Sequence, residues 1–369
     1  MENNTVRYQE MTTSEKDEQS VEVFFKCLAY VLIAVFSVVG NSLVITAFKV
    51  NTNGKLRTVN NMFIVSMAAG DLLLTMGSTP ERITRVLADD QWLIEGNLGV
   101  FLCKLTNFLE KLCMNVSILH LLMVAIDRFL VVFYPRKKII TKKRALWLII
   151  TAWLASALFC VPLFYFANLL RKNNGHVFCK TRTFFNNWRY WYLVFLSLLV
   201  MTLLLVVTLY AGIAIRLSRR KMPAPRVSFR SRIGARLNTR ILKMVAAIVF
   251  AFYFCFLPYW IGWVFCSFFV NDIVCSDSYV FIAIVLLYAN SAINPVIYSF
   301  FNVNFRVVFR SIFNKIFKPC APMRRLPRRR EAQESYVIAK GMQGIENACR
   351  GAEIRCKAIK NVASGSHEP

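Results

Sequence analysis

Seven long apolar runs alternate with short polar stretches along the chain. They fall at about residues 23–49, 59–80, 100–134, 145–168, 188–218, 240–269 and 278–301. A helix rises ~1.5 Å per residue and the hydrocarbon of a bilayer is ~30 Å thick, so each run predicts one crossing. The linkers are short and no internal repeat is visible. The expected fold class is therefore all-α, a seven-transmembrane helix bundle occupying 23–301. After the last run, Phe305, Val308, Phe309, Ile312, Phe313 and Ile316 share one helical face, while Arg306, Arg310, Asn314 and Lys315 fall elsewhere. That pattern predicts a short amphipathic helix over 302–318, lying in the membrane interface. The flanks, 1–22 and 319–369, are polar and read as disordered tails.

Charge adds a direction. The linkers after the first, third and fifth runs hold clusters of Lys and Arg, and residues 216–240 carry nine arginines and lysines with no acid. The alternate linkers are more mixed, although residues 171–189 are also basic. Under the positive-inside tendency this predicts an extracellular N-terminus and a cytoplasmic C-terminus in the plasma membrane. The net charge of +26 is then cytoplasmic and lipid-facing charge. A nucleic-acid binder has no need of repeated membrane-length apolar runs, so nucleic acid is excluded as a partner. With residues 1–20 polar, the first helix is expected to act as its own insertion signal. Asn3-Asn4-Thr5 is a glycosylation sequon on the outer tail. Asn115-Val-Ser117 is a second, inside a span and inaccessible. Cys320, just past the amphipathic helix, is either a palmitoylation site or a free cytosolic thiol. The eleven cysteines include no CxxC pair, which speaks against a zinc site.

Several spans carry polar groups that hydropathy alone does not explain. The third holds Glu110 and Lys111 near one end and Asp127-Arg128 near the other. Charges at membrane depth are costly and mark function by default. Asn41, Asp71, Ser117, Asn290, Ser291 and Asn294 form a set able to build one buried polar cluster. Pro258 and Pro295 each remove a hydrogen bond inside a span and are candidate hinges.

These residues, in this order, resemble the rhodopsin-like (class A) G-protein-coupled receptors. The motifs are Gly40-Asn41, Asp71 in Ala-Ala-Gly-Asp, Cys103, Asp127-Arg128-Phe129, Trp153, Cys255-Phe-Leu-Pro258 and Asn294-Pro-Val-Ile-Tyr298 followed by Phe305-Arg306. The resemblance covers residues 23–317. It implies a Cys103–Cys179 disulfide and a sodium site at Asp71, Ser117, Asn290 and Asn294, with no other cofactor. It also implies that Arg128 meets a heterotrimeric G protein when the sixth span swings outward, with Tyr210 and Tyr298 holding the active arrangement and Phe252 and Phe256 acting as an aromatic switch. Arrestin is a further cytoplasmic partner in this family. Departures are Phe129 for a tyrosine, Phe256 for a tryptophan, Thr202 where a proline is usual, and Asn238 where some members carry an acid. The last suggests raised basal signalling.

For the ligand, the resemblance is nearest to neuropeptide receptors, and a peptide is the expected ligand. The alternative is a biogenic amine, because Glu110 stands where amine receptors place an aspartate and Tyr288 where they often have a tyrosine. Phe256 and Tyr259 complete the expected ligand-binding set. A basic peptide would use Glu110 with outer acids such as Asp89, Asp90, Asp272 and Asp277. The basic residues Arg171, Lys172, Lys180 and Arg182 argue instead for an acidic group on the ligand. Glu110 could also pair with a neighbouring base, but adjacent residues diverge by ~100° on a helix, which strains a direct bond to Lys111. Cys266 and Cys275 are a plausible loop disulfide, with Cys27 as a competing partner.

Other classes fit less well. A transporter or channel would show paired broken helices or repeats. An enzyme would need a nucleophile or metal cluster, and His120, His176 and His367 do not converge. An opsin needs a lysine in the last span, and 278–301 has none.

Overall fold

The structure is a computed structural model and describes residues 13–50, 56–135, 137–173, 175–180, 188–219, 229–269 and 273–317. Asn3, Asp272, Cys320, His367 and the stretch 319–369 lie outside these residues, as does the side chain of Asn238. The helices in chain order are α1 (Thr13–Val50), α2 (Val59–Leu87), α3 (Gly96–Phe133), α4 (Lys142–Cys160), α5 (Leu163–Phe166), α6 (Trp188–Ser218), α7 (Phe229–Phe268), α8 (Asp277–Phe301) and α9 (Val303–Phe317). Among the described residues, seven stretches are long and apolar enough to cross a membrane, one of them made of α4 with α5.

Local chemistry sets the helix ends. The Thr58 and Thr141 hydroxyls accept from the Asn61 and Arg144 amides, capping α2 and α4. Ser276 accepts from the Tyr279 amide at the start of α8. Helix α4 stops at Cys160, where Val161-Pro162 turns the chain before α5.

Several bounds differ from the sequence expectation, among them the start of α7, helical from Phe229, about three turns before residue 240. The polar run Thr13–Glu22 is helical and continues α1, supported at its inner end by a Glu22–Lys26 ion pair of 2.5 Å. Helix α2 runs on through Pro80 to Leu87, about two turns past the expected end. Residues 168–180 contain a two-stranded antiparallel hairpin that the sequence pattern did not reveal. Its strands are β1 (Asn168–Arg171) and β2 (Val177–Lys180), with Leu169 opposite Cys179. Thr202 leaves no break: α6 is continuous, and its hydroxyl donates to the Leu198 and Leu199 carbonyls.

The bundle packs α1 on α2 and α8, α2 on α3, and α7 on α8. Helix α3 is central and touches α2, α4, α6 and α7. Its buried positions run from Gly99 to Val132, on several faces, as expected of a helix surrounded by protein. Outward positions such as Phe36, Trp147, Leu158 and Phe250 are exposed hydrophobics, matched to lipid. Gly40 lies against the ring of Pro295, where an added Cβ would stand 2.8 Å from the ring carbons. Contacts divide the chain after Ile312. As far as Ile312, α9 buries Phe305 and Phe309, with Phe305 stacked on Tyr298 at 6.1 Å between ring centroids.

Two disulfides lie at one end of the bundle. Cys103 bonds Cys179, joining α3 to β2, and Cys266 bonds Cys275 across the turn between α7 and α8. Cys27 is free. The Trp92 amide donates to the Val177 carbonyl at 2.7 Å and ties the α2–α3 connection to the hairpin. We call this the disulfide end.

Candidate functional site

At the disulfide end, a run of ion pairs crosses from the bundle interior to the hairpin. Lys111 Nζ lies 2.5 Å from Glu110 Oε1. Arg82 Nη2 donates to Glu110 Oε2 at 2.7 Å, and Tyr288 donates to the same oxygen at 3.0 Å. Arg82 Nε lies 3.5 Å from Glu81 Oε2, and Arg85 also pairs with Glu81. Arg85 Nη1 then reaches Asp90 Oδ1 at 2.9 Å, and Lys180 Nζ reaches Asp90 Oδ2 at 2.7 Å. In order the charges alternate: Lys111, Glu110, Arg82, Glu81, Arg85, Asp90, Lys180.

The bond between Glu110 and Lys111, which helix geometry argued against, is made. Both side chains are almost fully buried, at 6% and 3% exposure. Leaving each ion alone would cost several kcal/mol. The flexible four-carbon stem of lysine spans the ~100° divergence. Lys111 also sits 4.9 Å from the Tyr259 ring centroid.

Arg82 is the residue that sequence reasoning missed. Pro80-Glu81-Arg82 looks like the end of a span, because proline and two charges follow an apolar run. The helix continues instead, and the extra turns carry Arg82 and Arg85 to the carboxylates. Asp89 and Asp90 hold left-handed backbone, φ 51° and 61°, which closes the turn after α2 and sets Asp90 between its two cations. Burial alone would raise the Asp90 carboxyl; Arg85 and Lys180 overcome it and hold it below its ordinary value of 3.8. Both aspartates are exposed, but Asp90 is engaged within the chain.

Beneath this ladder lies an aromatic layer. Phe252 and Phe256 stack at 4.0 Å and are both buried. Trp260 stacks on Phe195 at 5.0 Å, and its indole N–H has no partner among the described residues.

In mid-bundle, Asn294 Nδ2 donates to Asp71 Oδ2 at 3.0 Å. Ser117 and Asn290 are buried as expected, and the side-chain oxygens of Asn290 and Asn294 have no partner among the described residues. Pro295 lacks an N–H and so frees the Ser291 carbonyl one turn earlier. Asn41 Nδ2 donates to that carbonyl at 2.9 Å and also to Ser37 O at 3.0 Å. Asn41 is therefore the group that lets α8 tolerate its proline. At the other kink, Tyr279 donates to the Pro258 carbonyl at 2.8 Å.

At the far end of α3, Arg128 pairs with its own neighbour Asp127, with Nε donating to Oδ2 at 3.0 Å. Tyr210 and Tyr298 are expected to hold an active arrangement around Arg128. Here both hydroxyls are buried and unpartnered among the described residues. Trp153 donates to Ser66 at 2.9 Å, locking α4 to α2. His120 bonds the Val116 carbonyl and His176 bonds Gln91, in different parts of the molecule.

Comparison with known proteins agrees with this layout. The chain is similar to a RYamide receptor of Drosophila melanogaster, 27% identical over 299 residues, covering 77% of this chain and 62% of that one. It is also similar to a QRFP-like peptide receptor of Branchiostoma floridae, 29% identical over 291 residues and covering 75% and 74% of the two chains. Galanin receptor type 1 of Rattus norvegicus is 27% identical over 299 residues, covering 78% and 81%. The family described as 7 transmembrane receptor (rhodopsin family) matches residues 40–298. Seven spans, the α3–β2 disulfide and the match across all of them carry one conclusion: the chain belongs to the rhodopsin family of seven-transmembrane receptors.

Proposed function

We propose that this chain is a plasma-membrane receptor that binds an extracellular peptide at the disulfide end and activates a heterotrimeric G protein at the Arg128 end. The N-terminus is outside and the C-terminus cytoplasmic, in keeping with the basic linkers. The observation that carries the reading is the state of Arg128. It is held by its own neighbour, while two buried tyrosine hydroxyls, Tyr210 and Tyr298, stand unpartnered among the described residues. Buried hydroxyls normally find partners. An arrangement that swings α7 on its Pro258 kink would supply them, opening a place for the G protein beside Arg128. The peptide ligand is supported by the names of the similar receptors, a RYamide, a QRFP-like peptide and a galanin receptor among them.

An amine is less well supported. Glu110, the carboxylate that would hold its ammonium, already accepts from Lys111, Arg82 and Tyr288.

The test is a panel of amidated and free-acid peptides and of amines, applied to cells that express the full chain with G-protein dissociation sensors. A peptide response is expected, and it should vanish in Arg128→Ala at equal surface expression. Responses to amines alone, or an Arg128→Ala receptor that signals undiminished, would overturn the reading.

The mid-bundle residues fit a sodium ion. Asp71 offers a buried carboxylate, and the Asn290 and Asn294 side-chain oxygens are unpartnered acceptors beside it in the same layer. Ser117 adds a hydroxyl from α3. A hard cation would supply positive charge to an otherwise isolated buried carboxylate. Its signature is a higher unfolding temperature in sodium chloride than in choline chloride, abolished by Asp71→Asn. Equal temperatures in the two salts would remove the ion.

A further inference from the structure

We propose that the disulfide end of the bundle receives its ligand by a carboxylate, with Arg82 as the residue that touches it. The proposal rests on the receptor reading above and names the chemistry its ligand must bring.

The ladder begins and ends on a cation. Lys111, Arg82, Arg85 and Lys180 face Glu110, Glu81 and Asp90, so one positive charge is unmatched. Each acid is shared by two cations, and at the buried inner end these are Lys111 and Arg82 on Glu110. An unmatched charge is tolerated near water at Lys180, but it is costly among buried groups. The Arg171–Glu95 pair nearby is neutral in sum and does not correct it.

Glu110 has little capacity left for a ligand cation, with three of its roughly four lone-pair sites taken. Its Oε1 accepts from Lys111, and its Oε2 accepts from both Arg82 and Tyr288. An incoming ammonium or guanidinium would have to crowd against two protein cations that already share this carboxylate. The cations do have capacity. Arginine carries five N–H donors and lysine three. The described bonds of Arg82 use Nε and Nη2, and those of Lys111 go to Glu110 and to the Tyr259 hydroxyl at 3.4 Å. Arg82 keeps 19% of its side chain exposed, against 3% for Lys111, so a ligand meets Arg82 first. Its guanidinium fork suits a carboxylate held by two parallel bonds. The Tyr288 ring, 5.7 Å from the guanidinium carbon, fixes that fork in place. Tyr259, half-buried beside Lys111, offers an aromatic wall for the part of the ligand next to the acid.

Three probes with one aromatic body separate the possibilities: N-acetyl-L-tyrosine, N-acetyl-L-tyrosinamide and tyramine. Affinities are read from thermal unfolding of the purified full chain in lipid nanodiscs. N-acetyl-L-tyrosine is expected to bind about tenfold tighter than the amide, the gain of a charged over a neutral acceptor. Tyramine is expected to be weakest. Arg82→Gln should bring acid and amide within about twofold of each other, and Glu110→Gln should leave the acid bound at least as tightly as before. Arg82→Lys, which keeps the charge without the fork, should retain part of the preference and serves if the glutamine variant does not fold. Tyramine binding best and failing in Glu110→Gln would overturn the proposal in favour of a carboxylate that holds ligand cations. Equal binding of acid and amide, or no binding of any probe, would overturn it as well. Guanine-nucleotide exchange is measured on a separate sample with G protein and the peptide panel. A failed receptor reading therefore shows as absent exchange, whatever the order of probe affinities.

Discussion

Helix α3 carries two acid–base neighbours, Glu110-Lys111 and Asp127-Arg128, about 26 Å apart along its axis. Both are adjacent residues, and both are mostly buried. They differ in what surrounds them. The first is one step in a ladder that also involves α2, α8 through Tyr288, and β2. The second closes on itself, with aromatic neighbours such as Phe129 stacked on Phe133 at 4.2 Å. A pair shared among several elements fixes their relative positions. A pair within one helix fixes nothing beyond that helix and can open without pulling others apart. On the reading proposed above, the difference separates a part of the molecule that meets a ligand from a part that changes.

The contrast can be broken experimentally. The largest effect is expected from Glu110→Ala, which leaves Arg82 and Lys111 buried without their shared counter-ion. It should lower stability by about 3–5 kcal/mol in thermal unfolding. A loss under ~1 kcal/mol would mean that the ladder does not brace the bundle. Removing the disulfides comes next. In the chain-entropy description, Cys103→Ser with Cys179→Ser should cost about 4 kcal/mol for its separation of 76 residues, and Cys266→Ser with Cys275→Ser about 2–3 kcal/mol for a separation of 9. The reverse order would show that the α3–β2 link is strained by its surroundings. Asp127→Asn should cost only about 1 kcal/mol, since Arg128 can extend its head toward water at the bundle end. It should nevertheless raise ligand-free nucleotide exchange, and unchanged exchange would place the restraint on Arg128 elsewhere. The smallest effect concerns pH. The Asp90 carboxyl is held low, so its contribution is present above the ordinary value of 3.8 and is lost as pH falls through the lowered one. Hydrogen exchange at the hairpin amides should therefore quicken only in strong acid, and Asp90→Asn should remove that acid limb.

Much of this architecture was legible in the hydrophobic pattern. Seven spans, the amphipathic α9 and the burial of Asp71, Asn294 and Tyr298 follow from run length and from polar groups that lipid cannot solvate. The Asp127–Arg128 pair was legible because it is closed within one helix. The upper site was not. Its key contact joins Arg82 to Glu110 across two helices, and no local pattern records such a distance. Pro80 made the last turns of α2 look like a loop. Strands of four residues, such as β1 and β2, are too short for alternation to stand out from a basic linker. The Glu110–Lys111 bond was argued against from backbone direction, where side-chain length decided it.

The close approach of Gly40 to Pro295 gives α1 more than a peripheral place. Helix α1 grips α8 at its kink by shape, through a glycine notch that admits the proline ring, and by a hydrogen bond, from Asn41 to the carbonyl that the proline frees. Any rotation of the lower half of α8 must slide that ring along the notch and stretch that bond. The first helix thus acts as a bearing for the last. Even a methyl group in the notch should jam it: Gly40→Ala is expected to fold with α8 displaced and to respond sluggishly while ligand affinity is kept.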